Sequence, residues 1–138
     1  RLTEESEKRN MAATLLLIDD DVTLCQGLRI ILAKKGFTIE VAYDAISGLK
    51  RAYALKPDIV ILDIMLPDID GWDIYKQMKE DEELARLPVI IVSARDAKRD
   101  AKRGRFVIGK DRFIEKPFEV RDLINAVNQA LEKEAVGL

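Results

Sequence analysis

Histidine is absent from the 138-residue chain. That absence removes Ser-His-Asp and Cys-His nucleophilic machinery and every metal site that relies on imidazole. Cysteine occurs once, at Cys25, so no internal disulfide and no multi-thiolate metal site can form. Such cysteine usage fits a reducing cytosol, and a cytoplasmic setting is expected. No apolar run approaches the length that spans a bilayer, and the first residues lack the pattern of a signal peptide, so no membrane role is expected. A formal net charge of −2 gives no whole-molecule attraction to nucleic acid, and no recognition motif accompanies the basic residues, so direct nucleic-acid binding is not expected either. Any chemistry has to run on carboxylates, hydroxyls, lysines and hard cations.

Hydrophobic residues make up 48% of the chain and charged residues 35%, which suits a folded domain rather than a disordered one. Its length suits one domain with its own apolar core. Residues 1–12 are polar and charge-mixed, and read as a tail or linker, with Met11 a candidate start. The domain is expected over residues 13–135.

Within it, apolar runs alternate with amphipathic stretches. Leu15 to Ile18 halts at Asp19, Ile59 to Leu62 halts at Asp63, and Val89 to Val92 halts at Ser93. Continuous runs of this length suit strands covered on both faces. Thr38 to Val41 alternates, as a half-exposed edge strand does, and Phe113-Ile114 is a short fifth candidate. Helical patterns lie between. Leu24, Leu28, Ile31 and Leu32 share one face, ahead of Gly36. Ile46, Leu49, Ala52 and Tyr53 form a second stripe between a capping Asp44 and Pro57. Ile74, Tyr75 and Met78 mark a third helix that Trp72 starts as a partly buried anchor, and Val120, Leu123, Ile124, Val127 and Leu131 mark a last one. Asp96 to Lys110 is the weakest helical stretch, poor in apolar surface and rich in base: Lys98, Arg99, Lys102, Arg103, Arg105 and Lys110. That cluster is either a solvated helix face or a docking surface for an acidic partner.

Strand and helix alternating five times predict an α/β fold: a five-stranded parallel sheet, order 2-1-3-4-5, with helices on both faces. Ligands of such sheets sit beyond the strand carboxyl ends, where the strand order reverses. Here that point lies between the first and third strands, which end at Asp19, Asp20 and Asp63. Carboxylates crowded there repel, and either retained protons or a bound cation relieves them. Mg²⁺ suits an all-oxygen set. An aspartate can act as a nucleophile toward phosphorus, and a hydroxyl and an ammonium can hold phosphoryl oxygens. Ser93 and Lys116 fall at the same edge, and the Lys116-Pro117 pair admits a cis bond. Asp21 reads as a helix cap and Cys25 as buried packing.

LLLIDDD, ILDIMLPDIDGW, PVIIVSAR and FIEKPF, in that order over residues 13–135, resemble the receiver domain of bacterial two-component response regulators, a flavodoxin-like fold. The resemblance implies that Asp63 is the phosphoacceptor. It also implies that Asp19, Asp20, Asp63 and the Met65 backbone carbonyl hold Mg²⁺, and that Lys116 pairs with the phosphate. Ser93 and Phe113 then correspond to the hydroxyl and aromatic of the switch. On activation Ser93 is drawn toward the phosphoryl oxygens and Phe113 fills the space, altering the surface around the basic 96–110 segment and the fifth strand. Met65 and Arg95 border the approach of water and tune dephosphorylation. The implied phosphodonor is a sensor histidine kinase or phosphotransfer protein, and the output is a downstream effector protein or domain. A phosphorylation-dependent dimer is left open, although Ala126 stands where one dimerising subfamily carries a basic residue. Lys110 stands where the family usually has alanine. An aspartyl-phosphate phosphohydrolase, the rival reading, needs a second aspartate two residues after the nucleophile, and Met65 occupies that position. The expectation is therefore a signalling switch that catalyses only its own phosphorylation and dephosphorylation.

Overall fold

The computed structural model describes residues 13–94 and 111–135, with Glu4 besides. Arg95 and the basic residues from Lys98 to Lys110 lie outside the described residues, as does the rest of the 1–12 segment. The elements run β1 (Thr14–Ile18), α1 (Val22–Lys34), β2 (Thr38–Ala42), α2 (Ala45–Leu55), β3 (Ile59–Leu62), α3 (Gly71–Glu80), β4 (Val89–Ser93), β5 (Arg112–Glu115) and α4 (Val120–Ala135). All four strand pairings are parallel, and the order is β2-β1-β3-β4-β5. The three continuous apolar runs are the three inner strands, and every residue of β3 and β4 is buried. β2 and β5 form the edges, only partly buried.

Two apolar layers sandwich the sheet. On one side Leu15, Leu17, Ile59, Ile61, Ile90 and Val92 pack with Leu28 and Leu32 of α1 and Leu123 and Val127 of α4. On the other, Leu16, Ile18, Val60, Leu62 and Ile91 pack with Ala52 of α2 and with Ile74, Tyr75 and Met78 of α3. Alternate residues of one strand thus serve opposite layers, which is why the inner strands have no polar face. Each buried leucine or isoleucine contributes about 1.5–3 kcal/mol of transfer free energy.

The helix faces differ from the sequence reading in three places. α1 buries Cys25, Leu28 and Leu32, and Ile31 lies roughly 90° round from the centre of that face, exposed. α2 buries Ala45, Gly48 and Ala52, which leaves Ile46 exposed on its flank. Small residues win there because α2 lies close on the sheet: a Cβ added at Gly48 would sit 2.6 Å from the Ile18 side chain. Trp72 is fully buried rather than half-buried, edge-on to Tyr75 with ring centroids 5.7 Å apart.

Local chemistry sets the ends. Asp21, Asp44 and Asp70 cap α1, α2 and α3 through hydrogen bonds from Leu24 N, Ser47 N and Trp72 N. Gly36, at φ 96°, reverses the chain after α1.

Candidate functional site

Each inner strand delivers one polar residue to its carboxyl end, and the sheet's hydrogen bonds continue far enough to place it. Asp19, just past β1, donates its backbone N–H to Ala42 O at 3.1 Å; Asp63, just past β3, donates to Ile18 O at 2.9 Å. Lys116, just past β5, donates to Ser93 O at 2.8 Å. The Lys116-Pro117 bond is cis. Because β1 pairs with both β2 and β3, the chain leaves β1 and β3 on opposite sides and opens a cleft between them. The site occupies that cleft.

One carboxylate oxygen from each of Asp19, Asp20 and Asp63 lies within 4.8 Å of the others. Asp19 and Asp63 are buried and Asp20 is exposed. Lys116 Nζ reaches between the two buried acids, 2.7 Å from Asp19 Oδ2 and 3.0 Å from Asp63 Oδ2. The other Asp63 oxygen accepts from Ser93 Oγ at 2.6 Å and from the Met65 backbone N–H at 2.9 Å. Asp19 Oδ1 accepts the backbone N–H of Asp21 at 2.9 Å, and the thiol of the buried Cys25 donates to Asp19 O at 3.4 Å.

Burial raises the Asp19 carboxyl above its ordinary range, against the hydrogen bonds from Lys116 and Asp21 that pull it down. Burial alone would lower the Lys116 ammonium, but its hydrogen bonds to Asp19 and Asp63 outweigh that and hold it above the usual lysine value. Burial also pushes the Cys25 thiol up to about 12, with the charge of Asp19 adding to it, so Cys25 is inert packing. One ammonium against three carboxylates formally leaves two negative charges in the cleft. An all-oxygen set with excess negative charge and one exposed member fits a hard divalent cation such as Mg²⁺.

Asp63, Asp19, Asp20, Ser93 and Lys116 are therefore together. Met65 borders the pocket with its backbone N–H on Asp63 and its side chain 57% exposed, so water can reach that flank. Phe113 lies partly buried on β5 against the apolar layer shared with α2 and α3. Ser93 already faces Asp63, with its hydroxyl on that carboxylate.

Two acids escaped the sequence reading. Asp68, in the loop after Met65, accepts the backbone N–H groups of Ala45 and Ile46 at 2.8 and 3.0 Å, tying that loop to the start of α2. Those bonds hold its carboxyl below the ordinary value. The same loop is pinned where Gly71 N donates to Ile64 O at 2.8 Å; a Cβ on Gly71 would sit 2.4 Å from that oxygen. Asp111, just before β5, is buried with four hydrogen-bonding or ionic contacts. Its partners Tyr75 and Lys79 stand one turn apart on α3, and of the two the sequence reading named Tyr75 alone, as part of the apolar stripe.

A family model described as "Response regulator receiver domain" matches residues 15–128. The chain is 34% identical over 119 residues to the DNA-binding dual master transcriptional regulator RpaA of Synechocystis sp., covering 86% of this chain and 49% of that one. It is 26% identical over 126 residues to the probable transcriptional regulator ycf29 of Pyropia yezoensis, covering 91% and 56%. The chain thus spans about half the length of these curated relatives. A crystal structure of a putative response regulator from Chloroflexus aurantiacus superposes with a TM-score of 0.77 at 28% identity, covering 87% of this chain and 98% of that one.

Proposed function

The chain belongs to the response regulator receiver domain family of two-component signalling, and on that premise we propose that Asp63 accepts a phosphoryl group in a Mg²⁺-dependent reaction. The observation that carries this reading is the single Lys116 ammonium bonded to both Asp19 and Asp63, beside the Ser93 hydroxyl on Asp63. Nucleophile, cation-binding acids and two phosphoryl-oxygen donors thereby share one cleft.

An Asp63 carboxylate oxygen attacks phosphorus in line with the leaving atom of the donor. The oxygen–phosphorus bond forms as the donor's bond to phosphorus breaks, and the donor leaves with that electron pair and takes up a proton. Asp19, Asp20, Asp63 and the Met65 carbonyl would hold Mg²⁺, which supplies neutralising charge at the phosphoryl oxygens. Lys116 moves its hydrogen bond from Asp63 to a phosphoryl oxygen, and Ser93 exchanges the carboxylate for another. Little else is required of the protein, since positioning and charge account for most of the catalysis of phosphoryl transfer.

The phosphodonor on this reading is a phosphohistidine of a sensor kinase or phosphotransfer protein, and the phosphorylated form acts on an effector protein or domain. The protein acts in the cytoplasm and catalyses only its own phosphorylation and dephosphorylation. Among the described residues no helix is long and apolar enough to cross a membrane.

Acetyl phosphate with Mg²⁺, followed by intact mass, tests the proposal. A single added phosphoryl group that disappears in Asp63→Ala is expected. Uptake that persists unchanged in that variant, or steady release of free phosphate without an adduct, would overturn it.

A further inference from the structure

Asp111 lies at the opposite end of the short β5 from Lys116, roughly 16 Å away at about 3.3 Å per residue. It is buried, and its carboxylate is fully engaged. Oδ1 accepts from Val89 N at 2.7 Å and from Lys79 Nζ at 3.0 Å. Oδ2 accepts from Tyr75 Oη at 2.6 Å and lies 2.8 Å from the same ammonium. Lys79 Nζ also donates to Leu87 O at 2.9 Å, in the segment leading into β4. One side chain thus ties the start of β5 to the start of β4 and to α3.

The tie matters because β5 is a short strand at the edge of the sheet. It has four residues, none fully buried, and among the described residues it pairs with β4 alone. Phe113 and Ile114 pack into opposite apolar layers and favour one register, but a strand of four residues has few such contacts with which to hold it. Its register runs from Ile90↔Arg112 to Ser93↔Glu115, and Lys116 follows as the next residue. A one-residue slip would turn the lysine to the other face of the sheet, away from Asp19 and Asp63. The Val89–Asp111 bond forms one residue before that ladder begins and fixes where it starts. Asp111 is too far from the cleft to touch a reacting group. Its effect at the site therefore runs through the strand.

We propose that Asp111, held by Tyr75 and Lys79, is a positioning residue for Lys116: it sets the β5 register that delivers the ammonium to the phosphoryl-accepting cleft. This inference rests on the proposed role of Asp63 and Lys116 in phosphoryl transfer.

The test is a double-mutant cycle read as the rate of labelling by acetyl phosphate with Mg²⁺, using the whole chain, Asp111→Asn, Lys116→Ala and the two combined. Asp111→Asn is expected to slow labelling about 10- to 100-fold, the scale of a displaced catalytic group. Combined with Lys116→Ala, it should add no further slowing. Amide exchange supplies a second readout: the Lys116 N–H bonded to Ser93 O should lose protection in Asp111→Asn while amides of β1 and β3 keep theirs. Leu28→Ala, a core change on α1, serves as a control for general destabilisation and should label at the parental rate. If Asp111→Asn does not fold, Tyr75→Phe removes one of the ties, keeps the ring and enters the same cycle. Labelling of Asp111→Asn at the parental rate overturns the inference, as does equal slowing in the presence and absence of Lys116. A parent protein that takes up no phosphoryl group overturns the proposed function, and this inference with it.

Discussion

Ser93 Oγ donates to Asp63 Oδ1 at 2.6 Å, so the hydroxyl at the end of β4 rests directly on the carboxylate at the end of β3. Thirty residues separate the two, and the parallel pairing of their strands brings them into contact. Activation on the proposed reading then needs only an exchange of acceptor by a hydroxyl already in place. Ser93→Ala should cost about 1–2 kcal/mol of stability, at the low end for a bond to a charged group, because Asp63 Oδ1 keeps the Met65 N–H. Denaturant melts check that figure. Beryllofluoride should shift NMR signals out to Phe113 in the parent and over a shorter range in Ser93→Ala. Shifts confined to the acid pocket of the parent would refute a switch that runs through these residues.

Asp20 and Asp21 are adjacent and equally acidic, yet they should behave differently toward Mg²⁺. Asp20 contributes an oxygen to the acid cluster, whereas Asp21 Oδ1 is taken by Leu24 N as the cap of α1. Asp20→Ala should weaken Mg²⁺ binding at least tenfold, and Asp21→Ala should instead cost about 1 kcal/mol of stability. A titration followed by Trp72 fluorescence or NMR separates the two, and equal losses of affinity would count against the ligand set.

Asp19 ties the cleft's charge to stability. Its folded carboxyl lies above the ordinary value, chiefly through burial. Stability linked to it is therefore fully present below the unfolded carboxylate value of 3.8 and is lost as pH rises through the higher folded value. Without divalent cations, Asp19→Asn should raise the Tm at pH 7, and the gain should vanish near pH 3, where both side chains are neutral. Added Mg²⁺ should narrow the difference at pH 7. A variant that melts below the parent at pH 7 without metal would show that the bond to Lys116 outweighs the burial.

Dephosphorylation needs a water in line behind phosphorus, and on the proposed reading Met65, whose apolar side chain is exposed, would border that approach. Thioether sulfur is a poor partner for water, so the phosphorylated form should be long-lived. Met65→Asn should speed decay of the acyl phosphate several-fold with Mg²⁺ present, and Arg95→Glu is expected to add to it. Decay of the double variant at the parental rate removes the basis for assigning either residue this task.

Asp68 offers a test of the loop that carries Met65. Its two bonds cross from the β3–α3 loop to the first N–H groups of α2, a capping role filled from 23 residues away. Asp68→Ala should lower stability by about 1–2 kcal/mol and weaken Mg²⁺ binding if the Met65 carbonyl is a ligand. Unchanged Mg²⁺ affinity in a destabilised variant would confine Asp68 to the helix terminus.

The fold was legible in the sequence because its signals are local. Leu15 to Ile18, Ile59 to Leu62 and Val89 to Val92 are buried on both faces, and a strand in that position has to be apolar throughout. Asp19, Asp63 and Ser93 announced themselves by ending those runs. Helix faces were legible only to within a quarter turn. Ile31 and Ile46 are exposed, and for Ile46 the reason is that α2 beds closely on the sheet through small residues such as Gly48, which carry no hydrophobic signal. The partnerships themselves came from tertiary structure. Lys116 meets Asp19 across 97 residues, and Asp111 meets Tyr75 across 36. Register sets such contacts, and register depends on packing summed over whole strands and layers. An aspartate beside a lysine in the chain reads as solvated charge. It becomes a buried anchor only when a tyrosine, a lysine and a strand's first N–H converge on it.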